Sequence, residues 1–191
     1  MPAIHQQWWE SLSPQWQQAF SLCVLQKQTA PTANDFAVLQ NLQVLRIAGP
    51  QAPHSNFSTA LTDLSGITAL SNLQILIVSH CDLISIQEVS VLKNLKALFL
   101  FNNKIESLKG VESLTQLEQL YVNSNQLVSI EEVEQLLNLE QLNVADNKLT
   151  SLKGLVPAHE EKLKKFYCKP NDHLRQKEII YAERELGIIC H

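Results

Sequence analysis

From the middle of the chain onward, leucines return every 22 residues. Leu70, Leu92, Leu114 and Leu136 head four successive segments. At fixed offsets each is followed by Leu73, Leu95, Leu117 and Leu139, then by Leu76, Leu98, Leu120 and Leu142, then by Val78, Leu100, Val122 and Val144. The position that closes each run holds Cys81, Asn103, Asn125 or Asn147. A second apolar set follows at Ile105, Leu108, Val111 and their equivalents. Because side chains alternate along a strand, Leu98 and Leu100 are expected to point inward, and Ala97, Phe99 and Phe101 outward. A segment this short cannot bury its own leucines. Stacked copies can, by forming a parallel sheet along one side with a continuous leucine core, while the Asn at each bend satisfies backbone groups where the chain leaves the sheet. On the return half, Ser85, Ser107, Ser129 and Ser151 recur just before an apolar residue and read as N-caps of short 3₁₀ or helical turns. Glu88 and Glu132 stand at capping-box spacing from the first and third of these serines, and Gly110 and Gly154 follow the other two.

The order LxxLxLxxN/C, with eight such positions kept over four contiguous copies, resembles the leucine-rich repeat. The period of 22 is similar to the internalin-like class and to the nuclear phosphatase-regulator class, over residues 39–171. The resemblance implies an α/β fold: a right-handed leucine-rich-repeat solenoid with a curved parallel sheet on the concave side, short 3₁₀ or helical turns on the convex side, and helical caps. Two less regular copies complete it. Upstream, Leu39, Leu42, Leu45 and Ile47 match the strand half, and Leu61, Leu64 and Ile67 match the return half, with Asp63 in the Ser position. Downstream, Leu163, Phe166, Cys168 and Asn171 repeat Leu139, Leu142, Val144 and Asn147 at a spacing of 24. Six repeats result, with an insertion at 51–60 that leaves the first strand at one rim of the sheet. Inserted segments of this kind often carry binding loops, and its Pro, Ser and Asn content equally suits a mobile spacer.

The open ends of such a core need covers. Residues 1–38 are expected to form a helical N-terminal cap: Ser13-Pro14 starts a helix whose face carries Trp16, Ala19, Phe20 and Cys23, after a short helix with Trp8, Trp9 and Leu12. Residues 172–191 are expected to form the C-terminal cap, a helix capped by Asn171-Asp172, running to Leu186 and ended by Gly187. With 191 residues, the whole is read as one continuous domain.

Composition changes this picture little. Fifteen basic and nineteen acidic residues leave a net charge of −4, which gives no electrostatic reason to expect nucleic acid. No apolar run is long enough for a bilayer, and the first ten residues lack a secretory signal's basic and apolar regions. The expected location is therefore cytoplasmic, or secreted if an upstream signal was trimmed. The protein is expected to be monomeric when free, with no membrane partner. The widely spaced Cys23, Cys81, Cys168 and Cys190 make no CxxC pair and read as reduced, unpaired thiols, with Cys81 and Cys168 in different repeats and Cys23 in the opposite cap from Cys190.

Catalytic chemistry finds no support. The six histidines make no metal-binding spacing, and phosphate loops and nucleophile elbows are absent. No metal or cofactor is expected, and the chain reads as no enzyme. His80-Cys81 and Cys190-His191 are the only pairs a thiol mechanism could use, yet Cys81 fills the bend position and Cys168 a core position. Asn56-Phe57-Ser58 matches a glycosylation acceptor and reads instead as a solvated loop.

The outward strand positions carry the function. The central row across the six repeats is Arg46, Ile77, Phe99, Tyr121, Asn143, Tyr167. The row before it is Val44, Ile75, Ala97, Gln119, Gln141, Lys165, and the row after is Ala48, Ser79, Phe101, Asn123, Ala145, Lys169. Ile75, Ile77, Phe99, Phe101 and Tyr121 together form an apolar patch of the sort that marks an interaction surface, and aromatics beside amides suit a protein-binding anchor. The expected site is Arg46, Ile75, Ile77, Phe99, Phe101, Tyr121, Asn123, Asn143 and Tyr167. The expected role is a non-catalytic protein–protein interaction module, with an enzyme regulator or inhibitor as its most concrete version. The alternative, from the internalin resemblance, is a secreted or surface recognition protein. A competing structural reading has the N-terminal segment or the inserted loop folding over these side chains.

Overall fold

The computed structural model describes residues 2–191. Six short strands, β1 (Val44–Ala48), β2 (Ile75–Ser79), β3 (Ala97–Phe99), β4 (Gln119–Tyr121), β5 (Gln141–Asn143) and β6 (Lys165–Tyr167), form one parallel sheet in sequence order. Their register puts Leu45, Leu76, Leu98, Leu120, Leu142 and Phe166 side by side on the inner face. Each of these is buried. The chain returns between strands through 3₁₀ turns at Ser65–Ile67, Gln87–Val91, Val111–Ser113, Glu131–Gln135 and Pro157–His159. These turns contribute Ile67, Val89, Val111 and Val133, all fully buried, to the opposite wall of the core.

The bend asparagines tie each repeat to the one before. Asn125 donates to the carbonyls of Leu100 (2.9 Å) and Val122 (3.0 Å) and accepts from the Ile105 N–H (2.9 Å). Asn103, Asn147 and Asn171 repeat the arrangement one coil away. A buried amide is satisfied here only because the neighbouring coil supplies its acceptor. Asn171 thus belongs to this ladder and does not cap the last helix, as its sequence position had suggested. That helix, α4 (Gln176–Glu185), starts five residues later, with Arg175 at the cap position and no side-chain cap, and ends near Gly187 at φ 68°.

The recurring serines also act differently from the N-caps expected of them. Ser107, Ser129 and Ser151 accept from the N–H two residues on (3.2, 3.2 and 3.0 Å); for Ser107 and Ser151 that N–H lies before the 3₁₀ turn, and for Ser129 it belongs to the turn's first residue, Glu131, while Ile130 holds the cap position. Glu132 reaches back to Ser107 in the preceding repeat (3.0 Å), so the Ser/Glu spacing links coils and closes no capping box. Glu88 has no such partner on its buried Oε2, because Asp63 stands in the preceding repeat where a serine would donate.

Three helices cover the N-terminal end: α1 (Pro2–Ser11), α2 (Pro14–Ala19), which runs on as a π turn through Phe20–Val24, and α3 (Ala33–Gln40). The third is an addition to the expected cap. Thr32 and Asp35 form a capping box, and Leu39 takes its core position from this helix's last turn. Trp16 and Phe20 are fully buried with ring centroids 5.3 Å apart. Trp16 lies flat on Gly66, where a Cβ would come within 2.2 Å of the indole, so the return turn of the first repeat must lack a side chain there. Its indole N–H donates to Asp63 (3.2 Å). Burial pushes the Asp63 carboxyl up, but hydrogen bonds from Ser65, Trp16 and Thr62 outweigh it and hold its pKa below the usual value.

The insertion at 51–60 is a docked loop and no spacer. Phe57 is 1% exposed in the core. The Asn56 side chain accepts from Ala48 N–H (2.7 Å) and donates to the Arg46 carbonyl (2.8 Å), which consumes the amide that a glycan would need.

The C-terminal end closes through a strand-like segment. His191 N–H donates to Phe166 O, Cys168 N–H to His191 O, and Cys190 bridges in parallel beside Phe166. This placement brings together a pair that the sequence-based separation of Cys81 from Cys168 and of Cys23 from Cys190 did not address, since Cys190 lands beside Cys168, within hydrogen-bonding reach. That bond and burial push the Cys190 thiol up, and the same bond lowers Cys168. All four cysteines are free thiols in the structure.

Candidate functional site: the concave sheet face

The register aligns the three outward rows across the sheet, with Arg46, Ile77, Phe99, Tyr121, Asn143 and Tyr167 as neighbours along the central one. At ~4.8 Å per strand, six strands span about 24 Å. At the β1 end the docked loop shapes the rim: Arg46 donates to the His54 carbonyl (2.8 Å), and Ala48 and Ser79 are buried. The loop's hydrogen bonds go to β1 and the cap. Ile75, Ile77, Phe99, Phe101 and Tyr121 remain half-exposed, so the covered-face reading holds only for that corner.

The half-exposed residues hold one another in place. The Phe99 and Tyr121 rings sit 5.2 Å apart at 38°. The Tyr121 hydroxyl donates to Gln141 Oε1 (2.7 Å), which fixes the ring along the row. Burial raises the pKa of this phenol, with Tyr167 adding to the effect, so it stays protonated and able to donate. Phe101 meets the His80 ring edge-on at 5.7 Å. Rings locked by neighbours lose little freedom when a partner arrives, which is the condition for an efficient anchor. Beyond them the face turns polar. Asn143 accepts from Ala145 N–H (3.1 Å), Asn123 is half-exposed, and Tyr167 packs on His191 at 5.8 Å.

Several contributors to this face escaped the sequence-based site. Gln141 orients Tyr121. Lys165 and Lys169 stand exposed on either side of Tyr167, a signal already present in their row positions. His80 is held at φ 54° in a left-handed bend, as Asn102, Ser124 and Asp146 are at 56°, 57° and 54° in the next three repeats. That the bend is left-handed in these four coils is a backbone fact which a 22-residue count cannot supply.

The thiol candidates do not form catalytic pairs. Cys81 is buried, and burial raises its pKa. The His80 ring is engaged by Phe101, and its buried Nδ1 has no partner. Cys190 is buried while His191 lies against Tyr167. Among the described residues no cluster of His, Cys, Asp or Glu could hold a metal ion, and no helix is long and apolar enough to cross a membrane.

Comparisons with known proteins agree with this geometry. The leucine-rich-repeat family profile, two copies long, matches residues 93–135 and 115–157. A search of curated proteins finds no relative by sequence. Among solved structures, an internalin (inlF) of Listeria monocytogenes superimposes with a TM-score of 0.59 at 20% identity, over 81% of this chain and 42% of that one. Internalin C2 of the same organism gives 0.59 at 18%, over 93% and 92%. A leucine-rich-repeat protein of Leptospira interrogans gives 0.58 at 28%, over 75% and 40%. The chain therefore spans less than half of the first and third of these neighbours and nearly all of the second.

Proposed function

We propose, from the premise that this chain is a leucine-rich-repeat protein of the internalin-like class, that it binds a protein partner on its concave sheet face and acts as an interaction module without chemistry of its own. Solenoids of this kind present an extended concave surface formed by the stacking itself. The observation that carries the reading is the stripe Ile77–Phe99–Tyr121, continued by Phe101: half-exposed, in register across the strands with the Phe99 and Tyr121 rings packed together, and outside the buried leucine core. Regulation or inhibition of an enzyme partner is the concrete form this binding would take. The cytoplasm remains the proposed compartment; the alternative is a secreted or surface recognition protein.

The test is the double substitution Phe99→Ala/Tyr121→Ala. Truncating two anchors, each worth about 2 kcal/mol, should weaken binding by at least about thirtyfold. The same change costs the fold the ring–ring contact, about 0.5–1.5 kcal/mol beyond area burial, and the half-exposed Tyr121–Gln141 hydrogen bond, about 0.5–1.5 kcal/mol. A partner captured by the wild-type chain from its native source, then titrated against both forms, decides the matter. Equal affinity with an intact melting transition would move the site to the 51–60 loop or the convex turns.

A further inference from the structure

The outward rows carry an uneven charge. Three rows of six positions contain Arg46, Lys165 and Lys169 and not one Asp or Glu, in a chain whose acidic residues outnumber its basic ones nineteen to fifteen. The carboxylates that border the sheet are mostly neutralised in place. Glu118 pairs with Lys96 (3.8 Å), Glu140 with Lys164 (2.9 Å) and Asp82 with Lys104 (2.7 Å), which leaves Asp146, at the bend after β5, as an acidic neighbour. Among the described residues neither Arg46, Lys165 nor Lys169 is matched with a carboxylate. Lys169 reaches only the Cys190 carbonyl (3.3 Å).

We infer that the occupant of the concave face is an acidic protein segment, which sets one large apolar side chain against Phe99, Phe101 and Tyr121 and a carboxylate against Lys165 and Lys169. This rests on the concave-face reading above and names the chemistry of its partner. The charge contrast supplies complementarity that would steer such a segment and fix its orientation. Strand spacing supplies a ruler. Tyr121 and Phe99 lie two and three strands from β6, about 10–14 Å. An extended segment rising ~3.3 Å per residue covers that distance in about three or four residues. A helical one, at ~1.5 Å, needs about seven to nine. Single-stranded nucleic acid, which also pairs cations with aromatics, fits less well. It needs ring faces open for bases to stack on, and here Phe99 and Tyr121 lie against each other and Tyr167 against His191.

The experiment selects peptides from a displayed library of random twelve-residue sequences, on the full chain and on two variants, Lys165→Glu/Lys169→Glu and Phe99→Ala/Tyr121→Ala. The wild-type pool is expected to be rich in Asp and Glu at one of those two spacings from a large apolar residue. A synthetic peptide from that pool should bind the lysine variant about fivefold or more weakly, the effect of two exposed ion pairs, and the difference should shrink in high salt. The lysine variant's own pool should turn basic. A wild-type pool that depends on Phe99 and Tyr121 but shows no acidic bias would overturn this inference and leave the concave-face reading standing. A pool indifferent to the aromatic variant would overturn both. An oligouridine twelve-mer that binds more tightly than any selected peptide and is lost with the lysine variant would replace the acidic segment with nucleic acid. Absence of any enrichment over the blank carrier also counts against the proposal.

Discussion

The two ends of the solenoid face the same problem, an exposed cross-section of leucine core, and solve it by different physics. At the N-terminal end the cover is an aromatic wedge: Trp16 lies on Gly66, Phe20 packs beside it, and Phe57 enters from the inserted loop. At the C-terminal end the cover continues the sheet. Cys190 and His191 pair with the last coil, and Ile179 and Ala182 of α4, with Leu186 just past its end, close over it. The first end relies on shape and buried area, the second on backbone hydrogen bonds joined to a modest apolar helix face. Between them, the middle coils need neither, because each leucine has a copy of itself on both sides.

The difference predicts a ranking. Trp16→Ala should be the most damaging single change, at about 3–5 kcal/mol, because the wedge has no neighbour to collapse into the gap. Chemical denaturation should show it, and a loss under 1 kcal/mol would mean that the helical cap is not what seals this end. Leu120→Ala, in the middle of the stack, should cost about 2–5 kcal/mol by the same cavity mechanism. Asn125→Ala follows at about 1–3 kcal/mol, since it strands the Ile105 N–H and removes one of the two amide donors that the Leu100 and Val122 carbonyls each share with Asn103 and Asn147. Asn171→Ala, less buried at the edge of the ladder, should cost less than Asn125→Ala in the same assay. Equal losses would show that the final coil is as tightly held as the middle ones.

The smallest effect concerns pH. His159 is fully buried beneath the last repeat, where its Nδ1 accepts from the Val156 N–H (3.1 Å). Burial lowers its pKa below the ordinary 6.5, opposed only in part by nearby backbone groups including the carbonyls of Val133 and Leu136. The folded chain therefore binds this proton less readily than the unfolded one. The stability this neutral imidazole allows is complete above about pH 6.5 and declines as pH falls from there toward the depressed folded value. Denaturation midpoints of wild type and His159→Gln should converge as pH is lowered from 8 to 5. A gap that stays constant would show that His159 titrates alike in both states.

The repeat was legible because its information is local and redundant. A 22-residue period repeats the same inward leucines, and a strand's two-residue alternation then assigns every outward neighbour, so the rows that form the concave face could be written down from spacing alone. The serines show where local reading stops. Ser107 and Glu132 have a capping relationship only across coils, 25 residues apart, whereas a scan of near neighbours pairs Ser129 with Glu132. Asn171-Asp172 misled for the same reason: a residue type that suits a helix cap and a ladder bend alike is assigned by which acceptors the fold brings near, here Val144 and Cys168.

The sequence by itself determined the architecture, since stacking identical apolar positions leaves only one economical way to bury them, and it determined which side chains share the outer face of the sheet. Tertiary structure alone decided how that face is finished. Phe57 gave no periodic signal, yet its burial turns the inserted loop into a fixed rim over β1. Cys190 lay 22 residues beyond Cys168 with no strand pattern around it, yet backbone pairing sets the two side by side. Gln141 was one polar residue among many until the fold put it 2.7 Å from the Tyr121 hydroxyl. For Phe57 and Gln141 the deciding contact joins segments whose separation along the chain carries no period, and Cys190, though one repeat length beyond Cys168, follows a segment in which Glu185 breaks the leucine pattern; contacts of these kinds depend on how the closed coils and their caps meet in space.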